Sequence, residues 1–370
     1  MTKIFLDDLA LHQVRRFNRL LAHLPRFRVA NRVAPVLVQA LLRVSQIGVD
    51  ARLARRGIRV EQHIAEADGL RVPVRVLRPP GPARAVVLDI HGGGWVIGNS
   101  CLDDALNAAL VAACGVAVVS VDYRLVPRVP LQGAMDDCLA AARWLLGGGV
   151  KDLDGLPAFI LGESAGAHLA ATVLLRLGDA PGAQAGFAGA VLYYGVYDLG
   201  GTARVHQAGP DTLVLDGPGL AEALRMLTPE CSDSERRAAP RSPLYGNLAG
   251  LPPALMFGAQ RDPLCDDTTA MARRWAEVAE VELHVLPEAP HGFIRFPTPL
   301  AGAARERTHA WIRERIAAHH LAVAWNGAAA PPVRATSDRS CDHVISLSIT
   351  APSAPAPARQ AARNRLHPPC

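Results

Sequence analysis

Residues 158–175 read Ala-Phe-Ile-Leu-Gly162-Glu163-Ser164-Ala165-Gly166-Ala-His168-Leu-Ala-Ala-Thr-Val-Leu-Leu. An apolar run of strand length ends in Gly-x-Ser-x-Gly, and a helix-forming run starts at once. This strand–turn–helix context predicts a nucleophilic serine on a tight turn, with its hydroxyl exposed at the end of a sheet. The glycines answer the need for so sharp a bend. A helix beginning at Ala165 points free backbone N–H groups at the place where negative charge develops in acyl transfer. The plainer reading is a glycine-rich turn with no chemistry.

A second stretch argues against the plainer reading. Ala85-Val-Val-Leu-Asp-Ile90 reads as a buried strand and runs into His91-Gly92-Gly93-Gly94-Trp95-Val-Ile-Gly98. Three consecutive glycines cost conformational entropy, so something must require them. Outward-facing N–H groups with no Cβ in the way supply an oxyanion hole, and the expected donors are Gly92, Gly93 and Ala165. Removing one such donor typically costs about 3 kcal/mol of transition-state stabilisation.

Five motifs now stand in order: His91-Gly-Gly-Gly-Trp95, Asp122-Tyr-Arg-Leu-Val-Pro127, Gly162-Glu-Ser-Ala-Gly166, Asp262-Pro-Leu264 and His291-Gly-Phe293. Over roughly residues 55–318 the chain resembles the hormone-sensitive-lipase-like branch of the α/β-hydrolases, which holds many bacterial carboxylesterases. It departs from that pattern at Arg128, where Glu is usual, and at Glu163 and Ala167, where Asp and Gly are frequent.

In this fold the triad follows the chain order serine, acid, histidine. The acid belongs after a strand at 254–258, where Asp262 lies. Asp266 and Asp267 are rivals, but they fall where a helix starts and suit capping. The base belongs after the last strand, 281–286, where His291 sits. His168 reads as packed beneath the serine, His284 lies inside a strand, and His91 reads as a brace of the glycine loop. His206 is a weak alternative. The expected triad is Ser164, Asp262 and His291.

The surrounding pattern fits an α/β fold: a mainly parallel central sheet with helices on both faces and a helical cap. Strands are expected at 58–67 and 70–78, as a hairpin turned by Asp68-Gly69 at one edge. Six more follow at 85–90, 116–122, 158–162, 188–194, 254–258 and 281–286. Helices fit 101–113, 132–146, 165–177, 266–279 and 300–318. Residues 1–54 form an N-terminal helical cap segment, with helical periodicity over 4–24 and 34–47. A basic amphipathic helix lying on a membrane is the rival reading of that segment. The catalytic domain spans 55–321, and 199–250 interrupts the alternation as a lid or cap insertion. The tail 322–370 lacks the apolar content for a core and reads as disordered, with a weak strand signal at Val344–Ile349.

Composition removes other classes. The net charge of +5 divides into +3 for the tail, from five arginines against two aspartates, and +2 for everything before it. With no basic platform, nucleic acid is not an expected partner. Seven scattered cysteines show neither disulfide nor metal spacing. The first residues lack a signal peptide's apolar core, and no apolar run is long enough for stable membrane insertion. The expected compartment is cytoplasmic. No nucleotide loop occurs and the triad makes its own nucleophile, so no cofactor and no metal are expected. The partner is a small-molecule ester substrate, and a homodimer is compatible with the sequence. The expected activity is that of a serine carboxylesterase passing through an acyl-enzyme. The resemblance and the small cap imply short- to medium-chain esters. Amide or thioester hydrolysis by the same triad is the alternative, and a non-catalytic ligand receptor a remoter one.

Overall fold

The computed structural model describes residues 4, 6–27, 33–178 and 186–327. Three helices come first: α1 (Asp8–Leu21), α2 (Val33–Ser45) and α3 (Val49–Ala54). The hairpin β1 (Arg59–Ala67) and β2 (Leu70–Arg78) follows, and then β3 (Val86–Ile90), α4 (Asp104–Cys114), β4 (Ala117–Val121) and α5 (Leu131–Leu146). The centre of the chain gives β5 (Ala158–Glu163), α6 (Ala165–Gly178) and β6 (Gly189–Tyr193). Short helices α7 (Ala203–His206), α8 (Gly217–Met226) and α9 (Asp233–Arg237) occupy the insertion. The chain returns to the sheet with β7 (Ala254–Ala259), α10 (Cys265–Trp275), β8 (Val281–Leu286) and α11 (Pro299–Gly327).

The eight strands form one sheet in the order β1-β2-β4-β3-β5-β6-β7-β8. Strand β2 is antiparallel to both β1 and β4, and every later pairing is parallel. The hairpin forms the edge because Asp68 (φ 53°) and Gly69 (φ 75°) both adopt the left-handed conformation of a two-residue turn. Inner strands are apolar on both faces, as helix-covered parallel strands must be. Along β3, Val86, Leu88 and Ile90 join the core under α5 and α6, while Val87 joins the core under α4 and α11.

The expected fold class matches this architecture. The N-terminal periodic runs are α1 and α2, with α3 as an addition; α3 escapes periodicity because it is six residues long and buries only Leu53. Helix α1 buries Val14, sets Phe17 against Phe296 at 5.2 Å, and donates from Asn18 Nδ2 to the Glu288 carbonyl at 2.8 Å. It therefore packs on the protein and holds the loop that follows β8. Residue Phe27 then forms an isolated bridge with Leu215 in the insertion, and Asp216 N–H donates to the Phe27 carbonyl at 3.1 Å.

Helix α11 runs to Gly327, six residues past the expected boundary at Leu321. The remainder of the tail, with the strand signal at Val344–Ile349, lies outside the described residues. Among the described residues no helix is long and apolar enough to cross a membrane.

Candidate active site

Strand β5 delivers Ser164 directly. Its φ of 52° is a left-handed conformation that a side chain adopts only under constraint. Two backbone bonds impose it: Ser164 N–H donates to the Tyr193 carbonyl at 2.9 Å, and its own carbonyl accepts from His168 N–H at 3.1 Å, starting α6. The turn is so close to β3 that a Cβ at Gly166 would run into the Ile90 carbonyl oxygen.

The turn after β7 carries Asp262, fully buried, with Oδ1 accepting from Leu264 N–H at 2.9 Å. The loop after β8 carries His291, of which only 6% is exposed. Ser164 Oγ lies 2.8 Å from His291 Nε2, and His291 Nδ1 lies 2.6 Å from Asp262 Oδ2. With Nδ1–H donated to the carboxylate, Nε2 is left as the acceptor for the serine proton. Three side chains from three strand ends thus form one continuous line.

The rival acids do other work. Neither Asp266 nor Asp267 caps α10, whose N-cap is Leu264. Asp266 sits 3.6 Å from Arg204 at the surface. Asp267 is fully buried, and its Oδ1 accepts from Tyr197 N–H at 2.8 Å and Asp198 N–H at 2.9 Å. It secures the loop after β6 instead of its own helix.

The glycine loop is braced from below. The His91 ring stacks on Tyr123 with centroids 4.2 Å apart and donates from Nδ1 to the Gly92 carbonyl at 2.7 Å. Tyr123 O–H donates to the His91 carbonyl at 2.9 Å, so the Asp122-Tyr-Arg motif acts as a strut. Burial drives the His91 pKa down to about 4, which keeps the brace neutral. The departure at Arg128 falls on an exposed side chain just after this strut. Within the loop Gly93 has φ 106°, and a Cβ there would overlap the Ile97 carbonyl. Gly93 and Gly94 line the same cavity as Ser164, whereas Gly92 is buried against Glu163, as Ala165 is buried behind the serine.

His168 links the loop to the insertion and is not a simple packing residue. Trp95 Nε1–H donates to His168 Nδ1 at 3.3 Å, so the ring proton sits on Nε2 and is given to the Arg241 carbonyl at 2.7 Å. Burial lowers this histidine to about 4 as well. His284 is paired with Glu282 at 2.6 Å, and His206 Nε2 meets the Gly200 carbonyl at 2.9 Å without lining the cavity.

Sequence reasoning missed a polar cluster beside the serine. Burial pushes the Glu163 carboxyl up, but the Arg295 guanidinium and Tyr194 hydroxyl more than offset this and hold it below the usual range. Arg295 Nε donates to Glu163 Oε1 at 2.7 Å and also pairs with Asp103; Tyr194 O–H donates to Glu163 Oε2 at 2.5 Å. The signal was a carboxylate next to the nucleophile on a buried strand end, which needs a cation from somewhere.

Above the serine lies a cavity of about 320 Å³. Its walls are mostly apolar: Trp95 and Ile97 from the glycine loop, Phe27 from the N-terminal segment, and Leu215, Leu220 and Leu224 from the insertion. Such a site binds a small apolar ligand beside a few convergent polar groups. Among the described residues no cluster of His, Cys, Asp and Glu is arranged to hold a metal ion.

A family profile described as alpha/beta hydrolase fold matches residues 87–295. The chain belongs to the α/β-hydrolase family. Its ordered motifs place it in the hormone-sensitive-lipase-like branch of these hydrolases. It is 34% identical over 257 residues to Carboxylesterase NlhH of Mycobacterium tuberculosis, covering 67% of this chain and 79% of that protein. It is 34% identical over 241 residues to Ethyl acetate hydrolase of Pseudomonas putida, covering 62% of this chain and 73% of the relative. Among solved structures, this hydrolase is similar to esterase LipW from Mycobacterium marinum, with TM-score 0.71 and 26% identity over 84% of this chain and 98% of the other. The Pyrobaculum calidifontis esterase gives TM-score 0.69 and 27% identity, over 81% and 97%.

Proposed function

We propose that this carboxylic ester hydrolase cleaves short- to medium-chain esters with Ser164 as nucleophile, His291 as general base and acid, and Asp262 as the group orienting the imidazole. The observation that carries the reading is the 2.8 Å and 2.6 Å line from Ser164 through His291 to Asp262, ending in an apolar cavity. Ser164 Oγ attacks the ester carbonyl carbon while His291 Nε2 takes its proton, and the buried Asp262 carboxylate stabilises the imidazolium. The tetrahedral oxyanion is met by backbone N–H groups of Gly93, Gly94 and Ala165. Gly94 is chosen over the expected Gly92 because Gly93 and Gly94 line the cavity with Ser164, and Ala165 is kept as the residue that follows the nucleophile. Collapse expels the alcohol, which leaves with the proton from His291. A water activated by the same imidazole then releases the acid and restores Ser164.

A cavity of about 320 Å³, walled in part by Leu215, Leu220 and Leu224 of the insertion, supports acyl groups of modest length. Hydrolysis of p-nitrophenyl acetate, butyrate, octanoate and palmitate tests this, with activity peaking among the first three. Maximal turnover on long-chain triglyceride emulsions would overturn it. A fluorophosphonate probe tests the nucleophile: the parent protein is labelled, and Ser164→Ala loses both labelling and turnover. Normal turnover in that variant removes Ser164 from the mechanism. The reading also takes the cytoplasm as compartment, supported by Cys101, Cys114, Cys138, Cys231 and Cys265 as free thiols.

A further inference from the structure

Helix α2 is amphipathic in the wrong sense for a helix packed on a protein. Among the described residues, its hydrogen bonds to the body are polar and reciprocal. Gln39 Nε2 donates to the Gly98 carbonyl at 2.8 Å while Gly98 N–H donates back to Gln39 Oε1 at 2.8 Å. Gln46 and Asn99 exchange amide bonds in the same way, at 2.9 and 2.8 Å. Among the described apolar side chains of α2, Val36, Val38, Leu41 and Val44 are exposed and Leu42 is half-buried. At about 100° per residue, Val36 and Val44 share a face with Ile47 just past the helix end, and Leu41 borders it. These four are 64%, 63%, 72% and 63% exposed.

The charge along the adjoining segment is predominantly positive, with Asp122 near Arg43 and Asp152 near Arg59 as the acids that other elements bring to it. Between residues 33 and 60 stand Arg43, Arg52, Arg55, Arg56 and Arg59 against a single acid, Asp50, which is paired with the buried Arg75. All five arginines are exposed, and Arg52 and Arg55 donate to the backbone carbonyls of Ile47 and Ala51. We propose that the outward face of α2, with the adjoining arginine cluster, docks the protein reversibly on an anionic phospholipid surface. Exposed aliphatic side chains can enter the acyl boundary, and guanidinium groups pair with lipid phosphates.

Charge selects this occupant over two others. A second copy meeting face to face brings the same arginines against themselves. The segment 328–370 has five arginines and two aspartates, so it also carries like charge. Anionic headgroups complement the cluster. Because α2 is tied to Gly98 and Asn99, docking presents the glycine-loop side of the cavity to the lipid, where apolar esters concentrate.

The test is co-sedimentation of the full chain with phosphatidylglycerol/phosphatidylcholine vesicles and with phosphatidylcholine alone. Binding is expected only to the anionic vesicles and is expected to be released by high salt. Leu41→Asp/Ile47→Asp should abolish it while leaving Tm and p-nitrophenyl acetate turnover unchanged. If that variant does not fold, Arg52→Gln/Arg55→Gln/Arg56→Gln decides, with vesicle affinity falling about fivefold per arginine. Equal or absent binding to both vesicle types overturns the proposal. So does a dimer in light scattering that the Leu41→Asp/Ile47→Asp variant dissociates, or vesicle binding that appears only after truncation at Gly327. Vesicle binding and ester turnover are separate readouts, so failure of one leaves the other standing.

Discussion

Asp262 and Asp267 are both fully buried, five positions apart, yet only Asp262 faces an imidazole. Asp262→Asn is expected to lower kcat by about 10⁴-fold through the wrong histidine tautomer. Asp266→Asn, at a surface pair, should leave kcat within about twofold of the parent, and steady-state kinetics on one soluble ester separate the two outcomes. Asp267 has a different signature. Burial raises its pKa from 3.8 to about 7, against the opposing pull of the Tyr197 and Asp198 N–H groups. Between those values the native protein holds a proton that the unfolded chain has lost. The contribution to stability is therefore full below about pH 4 and lost as pH rises through about 7. Asp267→Asn removes it while keeping an oxygen for both N–H donors. The Tm of this variant minus that of the parent should grow more positive from pH 4 to pH 7, and a flat difference contradicts the assignment. At this scale Ser164 and His291 were legible because the chemistry demands glycines and strand ends that are visible locally. The Glu163–Arg295 pair was not, because its members lie 132 residues apart and only the folded sheet brings them together.

Whole elements were legible where periodicity had room to develop. The inner strands and α4, α5, α6 and α10 lie within a few residues of their expected limits. The insertion resisted because α7 and α9 are four and five residues long, too short for a 3.6-residue repeat to show. The inverted amphipathicity of α2 was also hidden. A helical period tells which residues share a face, not which face is turned inward. Its amide exchange with Gly98 makes α2 a support for the glycine loop. Gln39→Ala deletes two bonds of about 1 kcal/mol each. We expect kcat to fall by up to about thirtyfold if that energy holds the loop in its reactive shape, with the far-ultraviolet circular dichroism spectrum unchanged. Unaltered kcat would mean the loop is held by Tyr123, His91 and His168 without help from α2.

For the whole molecule, the inward anchors of the last helix are Trp311, Ile312 and Ile316, well before its end at Gly327. A chain ending at Gly327 should keep its Tm within about 2 °C and its kcat/KM within about twofold, since it retains every buried residue of the described core. A drop of several degrees in a thermal melt would place part of 328–370 in the folded body. The order of the parts along the chain has a further consequence. The nucleophile turn and the glycine loop are complete by residue 175, but the imidazole that completes the line to Ser164 belongs to a loop 127 residues downstream. That loop is in turn secured by Asn18, 270 residues upstream of the Glu288 carbonyl it grips. If Ser164 is the nucleophile, it is synthesised more than a hundred residues before the imidazole that would activate it. On the proposed mechanism, hydrolysis then begins only once the loop after β8 has been made and the two ends of the domain have met.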